Sequence, residues 1–179
     1  MRIEADALVP FPRDRVFAAY RDHAPELVDM LPNIRSVEVR DRKTVDGFVH
    51  VTYLWHGALP IPPAIASVFP ENAFSWTDRL RWDDTRWLSE FTVEAQVLKE
   101  AISCSGSTRF IDLPHDRTRI EFRGNLAIDL KRVRAMPEFL AGSLSALFER
   151  FVVRQISPNV TAIGDALTRY LERSDAQTI

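Results

Sequence analysis

The stretch PEFLAGSLSALFERFVVRQISPNVTAIGDALTRYL, residues 137–171, is the strongest helical signal in the chain. Pro137 suits a first helical turn, and the pattern continues to about residue 172. With residues about 100° apart, Leu140, Leu144, Leu147, Phe148, Phe151 and Gln155 share one face. Ile156, Val160, Ile163, Leu167 and Tyr170 form a second stripe rotated by roughly a quarter turn. The change falls at Ser157 and Pro158, where proline removes a backbone donor and crowds the carbonyl of Arg154. A kink or short break is expected there, bringing both stripes onto one surface. A helix this long needs a broad apolar partner.

Upstream, the period of the chain is two, which supplies that partner as a sheet. Ile3, Ala5, Ala7 and Val9 alternate with charged residues in a first strand. Asp14 is positioned to cap a short helix at about 13–23, on which Val16, Phe17 and Tyr20 recur at helical spacing. Residues 24–31 add one or two further turns before Pro32 and Asn33. Val37 and Val39, the Asp46-Gly47 dipeptide, then Val49, Val51, Tyr53 and Trp55 read as a β-hairpin. Residues 57–71 contain Pro60, Pro62, Pro63 and Pro70, which suit a connecting loop and not a sheet interior. A second hairpin runs through Phe74, Trp76 and Trp82, turns at Asp83 and Asp84, and continues with Trp87, Ser89, Phe91 and Val93. Segments 101–111 and 118–128 pair about a turn at 113–116. Roughly seven antiparallel strands with short connections result, in one α+β domain spanning residues 1–179.

Composition narrows the functional classes. The 179 residues are 46% hydrophobic and 27% charged, and 23 basic against 25 acidic residues leave no field to attract nucleic acid. The opening MRIEADALVPFPRDR carries Arg2, Glu4 and Asp6, which leaves no signal-length apolar run, and a cytoplasmic location is expected. Cys104 is the lone cysteine and reads as a buried inert thiol. His23, His50, His56 and His115 share no metal-ligand spacing, and no phosphate loop or dinucleotide fingerprint occurs, so neither a metal nor a cofactor is expected. Lys131, Arg132 and Arg134 beside Met136, Phe139 and Leu140 read as solvated loop charge with Phe139 tucked inward, in preference to a membrane dock. No feature sets an oligomeric state.

The order strand, two short helices, about six strands, long helix resembles the START-like (SRPBCC) superfamily with its helix-grip fold. VPFPRDRVFAAYRD is similar to the recurring opening of that superfamily, LPNIRSVEV to the helix exit and second strand, and PEFLAGSLSALFERFV to the start of the closing helix. The polyketide cyclase/dehydrase-like and coenzyme-Q-binding-like branches are the ones it looks most like. The resemblance implies a cavity between a curved sheet and a kinked closing helix that accepts a lipid, polyketide, quinone or similar apolar molecule. It does not imply catalysis.

On that architecture the expected ligand-binding residues are Tyr53, Trp55, Trp76, Trp87, Phe91 and Phe122 on the strands, with Leu144, Phe148, Phe151 and Gln155 on the closing helix. Large rings also fill cores, which is the competing reading of each. Tyr53, Asp78 and Gln155 are polar residues in phase with apolar stripes and would orient a guest. Their structural alternatives are a core hydroxyl, a wet strand end, and a bond to carbonyls freed by Pro158. An enzyme of the cyclase/dehydrase kind would draw its acid/base groups from Tyr53, His56 and Asp78. Binding without catalysis is the leading expectation. An interaction module with a filled cavity, using Pro-rich residues 60–70, is the third.

Overall fold

The computed structural model describes residues 1–58, 74–97, 99–132 and 138–177; for residues 130, 138–144, 148, 151–152 and 155–157 it describes the backbone alone. Pro60, Pro62, Pro63 and Pro70 of the expected connecting loop, and Arg134, Met136 and Pro137, lie outside the described residues. So do the side chains of Phe139, Leu140, Leu144, Phe148, Phe151 and Gln155.

The chain runs β1 (Arg2–Val9), α1 (Arg13–His23), a 3₁₀ helix (Ala24–Met30), β2 (Ile34–Val45), β3 (Phe48–Gly57), β4 (Ser75–Asp83), β5 (Leu88–Ala95), β6 (Ile102–Leu113), β7 (Arg117–Ile128) and α2 (Glu138–Gln177). The strands form one seven-stranded antiparallel sheet in the order β1-β7-β6-β5-β4-β3-β2. Consecutive strands pair as neighbours from β2 to β7, as short connections require. Only β1 joins from the other end, so α1 and the 3₁₀ helix carry the chain from one sheet edge to the other. The architecture is α+β with the helix-grip element order, as the sequence implies.

Local chemistry sets each turn. Val45 and Phe48 pair around Asp46 and Gly47, both with positive φ (50° and 81°), which is the two-residue hairpin the dipeptide predicts. After β4, the Asp83 carboxylate accepts bonds from the Thr85 and Arg86 amides at 3.0 and 3.1 Å and from the Thr85 hydroxyl at 2.6 Å. This Asx-type closure extends the turn through Trp87, whose φ of 52° ends it, so β5 starts at Leu88. Helix α1 differs from expectation at its start. Its N-cap is Pro12 with no side-chain bond, and Asp14 sits inside the first turn, where a carboxylate meets the helix dipole instead of capping it.

One sheet face is apolar and one is polar. On the outer face Arg79 pairs with Glu94 at 3.0 Å and Arg81 with Glu90 at 2.7 Å across β4 and β5, exposed ion pairs that add solubility more than stability. On the inner face, α1 closes one end through Phe17. Its ring is 5.1–5.3 Å from those of Trp82, Trp87 and Phe110, all edge-on, which is the favoured aromatic geometry.

Helix α2 runs without interruption through Pro158, so no break separates its two stripes. Pro158 and Arg154 are both exposed, which leaves the carbonyl that loses its partner on the solvent side. The C-terminal half docks through Val160, Gly164, Leu167 and Leu171, and its backbone comes closest to β1. The approach is steric in origin: a Cβ placed on Gly164 would stand 2.9 Å from the Ala7 Cβ, nearer than carbon atoms pack. Intrinsic propensity favours leucine over glycine in a helix by about 1 kcal/mol. Gly164→Leu should nevertheless lower stability to urea by roughly 2 kcal/mol or more, because β1 leaves no room. Equal or higher stability would show that α2 is not seated on Ala7.

Candidate functional site

Residues directly opposite in paired strands share a face, so the register lays the inner surface out in transverse rows. One row is Val39, Tyr53, Asp78, Val93, Cys104 and Leu126, from β2 to β7. The row beyond it is Val37, Trp55, Trp76 and Ala95. On the side nearer α1 lie Val51, Leu80, Phe91, Gly106 and Gly124, then Val49, Trp82, Ser89, Thr108 and Phe122.

Burial is not uniform over these rows. Near α1, Val51, Trp82, Ser89, Thr108, Phe110 and Ile120 are closed off. Trp76, Asp78, Val93, Cys104 and Phe122 remain half-buried although they project inward from the middle of the sheet. They are therefore the inward positions whose surface packing leaves least covered. Phe91 helps keep that surface low. A Cβ on Gly106 would come within 2.7 Å of the Phe91 ring and 2.6 Å of the Gly124 Cα, so the ring lies down over the paired glycines. Phe122 then stacks on Phe91 at 4.8 Å and 14°. Trp55 and Trp76 stack at 6.5 Å and 15°, and Tyr53 tilts against Trp55 at 5.7 Å.

Asp78 is the polar centre of this surface. Its Oδ1 is buried and makes no hydrogen bond among the described residues. Burial lifts the carboxyl from the ordinary carboxylate range to about 7, with no cation acting on it among the described residues. Three other acids adjoin it. Burial, together with the Asp78 charge, raises Tyr20 well above an ordinary phenol. Burial pushes Tyr53 up to about 12, with Arg42 pulling the other way and Asp78 adding to the rise. Burial and Asp78 push the Cys104 thiol up to about 11, and the residue is half-buried where a buried one was expected.

The structure thus brings together Tyr53, Trp55, Trp76, Asp78, Phe91 and Phe122. Trp87 is placed apart from them, in the turn after β4, between Phe17 and the Arg13 guanidinium 4.5 Å away. His56 is on the opposite face from Trp55. Its Nδ1 lies 2.9 Å from the Ser75 hydroxyl and its Nε2 3.3 Å from Glu38, so it does not adjoin Asp78. Tyr20 and Val93 are additions. The Val16, Phe17, Tyr20 spacing marks Tyr20 as inward-facing, but nothing local to it indicates that α1 delivers it beside Asp78. Among the described residues no cluster of three metal-ligating side chains occurs, and no helix is long and apolar enough to cross a membrane.

No protein-family model and no curated protein matches the chain. Solved structures do match in fold. A protein of Thermus thermophilus aligns at 16% identity and a TM-score of 0.68, covering 97% of this chain and 99% of that one. The Zhui aromatase/cyclase of Streptomyces sp. R1128 aligns at 19% identity and 0.60, over 96% and 95%. Norcoclaurine synthase of Thalictrum flavum aligns at 15% identity and 0.54, over 96% and 86%. At these identities the likeness is one of architecture, and it agrees with the element order, sheet topology and closing helix: the chain has a helix-grip fold.

Proposed function

We propose that the inner face binds a small, largely apolar molecule, held against Trp55, Trp76, Phe91 and Phe122 and oriented by Asp78, Tyr53 and Tyr20. The observation that carries this reading is the Asp78 carboxyl, whose buried Oδ1 has no partner among the described residues, on an inward surface rich in aromatic rings and only half closed. A core position occupied for packing alone is better filled by an apolar residue, since a buried polar group without a bond costs on the order of 1–3 kcal/mol. A guest that supplies the missing partner removes that cost. Two structural neighbours named as enzymes, an aromatase/cyclase and norcoclaurine synthase, show that the same scaffold serves small-molecule chemistry elsewhere.

A second reading, acid–base catalysis on the bound molecule, is favoured by the same residue. A carboxyl near pH 7 exchanges a proton at neutral pH at little cost, and Tyr53 stands directly across from it. In that case Asp78→Asn abolishes turnover while Tyr53→Phe impairs it, and His56→Ala leaves it intact.

Asp78 also links the site to stability. Its folded pKa lies above the unfolded value of 3.8, so the unfolded chain sheds its proton first and stability falls as pH rises from the ordinary carboxylate range to about 7. Asp78→Asn removes this penalty. Urea unfolding should show the variant more stable than the parent by on the order of 3 kcal/mol at pH 7.5, with the gap closing toward pH 4. A variant less stable at pH 7.5 would mean that Asp78 is a paired structural charge.

Location is tested by filling the surface. Val93→Phe adds a ring beside Asp78, and it should cost less than about 1.5 kcal/mol of stability if space stands above it, against the 1–3 kcal/mol typical of overpacking a filled core. It should weaken uptake of the neutral apolar dye N-phenyl-1-naphthylamine, followed by fluorescence, by about tenfold. Undiminished uptake in a folded Val93→Phe protein would place binding elsewhere. Native mass spectrometry of protein from its own host should find an apolar guest, and the absence of any would count against the reading.

A further inference from the structure

We propose that the molecule bound on the inner face carries a protonated amine, which pairs with the Asp78 carboxylate while its apolar body lies against Trp55, Trp76 and Phe91. This rests on the reading of that face as a binding surface and adds to it the charge of the guest.

The argument comes from what faces Asp78. Across β3 stands Tyr53, from α1 comes Tyr20, and two positions along the same row on β6 is Cys104. All are acids, so the site holds either one negative charge or none. Among the described residues, Arg42 on β2 acts on Tyr53 and is itself engaged by Asp22 and by the Arg21 carbonyl at 3.0 Å. Arg21 is held by Asp22 and Asp84. On α2, Arg150, Arg154 and Arg169 are exposed. No basic side chain among the described residues therefore neutralises Asp78. A carboxylate or phosphate on the guest would meet like charge in a poorly solvated place, where repulsion is strong. An ammonium meets the opposite: a carboxylate oxygen with a free lone pair, phenol oxygens that accept, and indole and phenol faces whose negative quadrupole attracts cations. A neutral guest could accept a bond from protonated Asp78, but its head group would gain no cation–π attraction from the ring faces.

Three isosteric probes separate these cases: 2-(2-naphthyl)ethylamine, 2-(2-naphthyl)ethanol and 2-naphthylacetate, titrated calorimetrically into the full chain at pH 7.5. The amine should bind about tenfold or more tightly than the alcohol, as expected for a hydrogen bond to a charged partner, and the acetate most weakly. Asp78→Asn should bring the amine down to the level of the alcohol, and amine affinity should rise between pH 6 and 8 as the carboxyl ionises. Equal affinity of amine and alcohol, a preference for the acetate, or an amine preference that survives in Asp78→Asn overturns the inference while leaving an apolar site in place. Binding of none of the three overturns the site itself, and the inference with it.

Discussion

A long helix can touch a sheet only where the side chains between them are small, and that constraint arranges this molecule. On β1 the inward residues beside α2 include Ala5 and Ala7, and the helix answers with Gly164, so the two backbones meet at the steric limit. On β3 and β4 the inward residues include Tyr53, Trp55, Trp76 and Leu80. A rigid rod cannot lie equally close to both. Seated on the alanines of one sheet edge, α2 leaves the middle of the face, at Asp78, Val93 and Cys104, with surface it does not cover. Small residues at one edge and large ones at the other are thus two halves of one device.

The end of the enclosure near α1 follows different rules. There Phe17 wedges edge-on among Trp82, Trp87 and Phe110, and Tyr20 adds a further contact 5.5 Å from Trp82. Interlocked rings of this kind resist sliding, since each edge sits over another face. The inner surface is therefore graded. It is a solid aromatic plug under α1, a flattened floor where Phe91 covers Gly106 and Gly124, and a half-open polar centre at Asp78. The proposed site falls where packing is least complete, because a residue committed to interlocking is not free to meet a guest.

This grading explains what the sequence discloses and what it hides. Strand parity is local, so alternation about Trp55 and Trp76 correctly orients Tyr53 and Asp78, and the same parity places His56 outward beside Ser75 and Glu38. Asp46-Gly47 is legible because both residues must accept positive φ. Trp87 has inward parity yet belongs to the turn, because the Asp83 carboxylate prolongs the reversal by gathering amides two and three residues on; no hydrophobic pattern records that. A kink or short break at Pro158 is what a missing hydrogen bond alone implies, and it is the break that does not occur. The helix continues where Arg154 and Pro158 are exposed, and exposure is a tertiary property. The approach of Tyr20 to Asp78 is likewise tertiary, joining residues that lie on α1 and on β4.

Three buried polar groups on the inner face have no partner among the described residues, and comparing them separates strain from purpose. Trp82 Nε1 and Ser89 Oγ sit opposite each other in register, on residues that are 1% and 0% exposed. Whatever their lack of bonds costs is a fixed penalty on folding, since no guest can reach them without dismantling the plug. Asp78 differs in two respects. Its residue keeps accessible surface, and its unsatisfied group can change charge near neutral pH. Its penalty can therefore be relieved by something outside the chain, either a proton or a ligand, and relief by a ligand appears as binding energy and as added stability of the folded state. A neutral packing residue at position 78 would make a more stable protein with nothing left to satisfy. The helix is seated on Ala7, Asp78 keeps accessible surface, and in the proposed function it is the unpaired carboxyl that selects the guest.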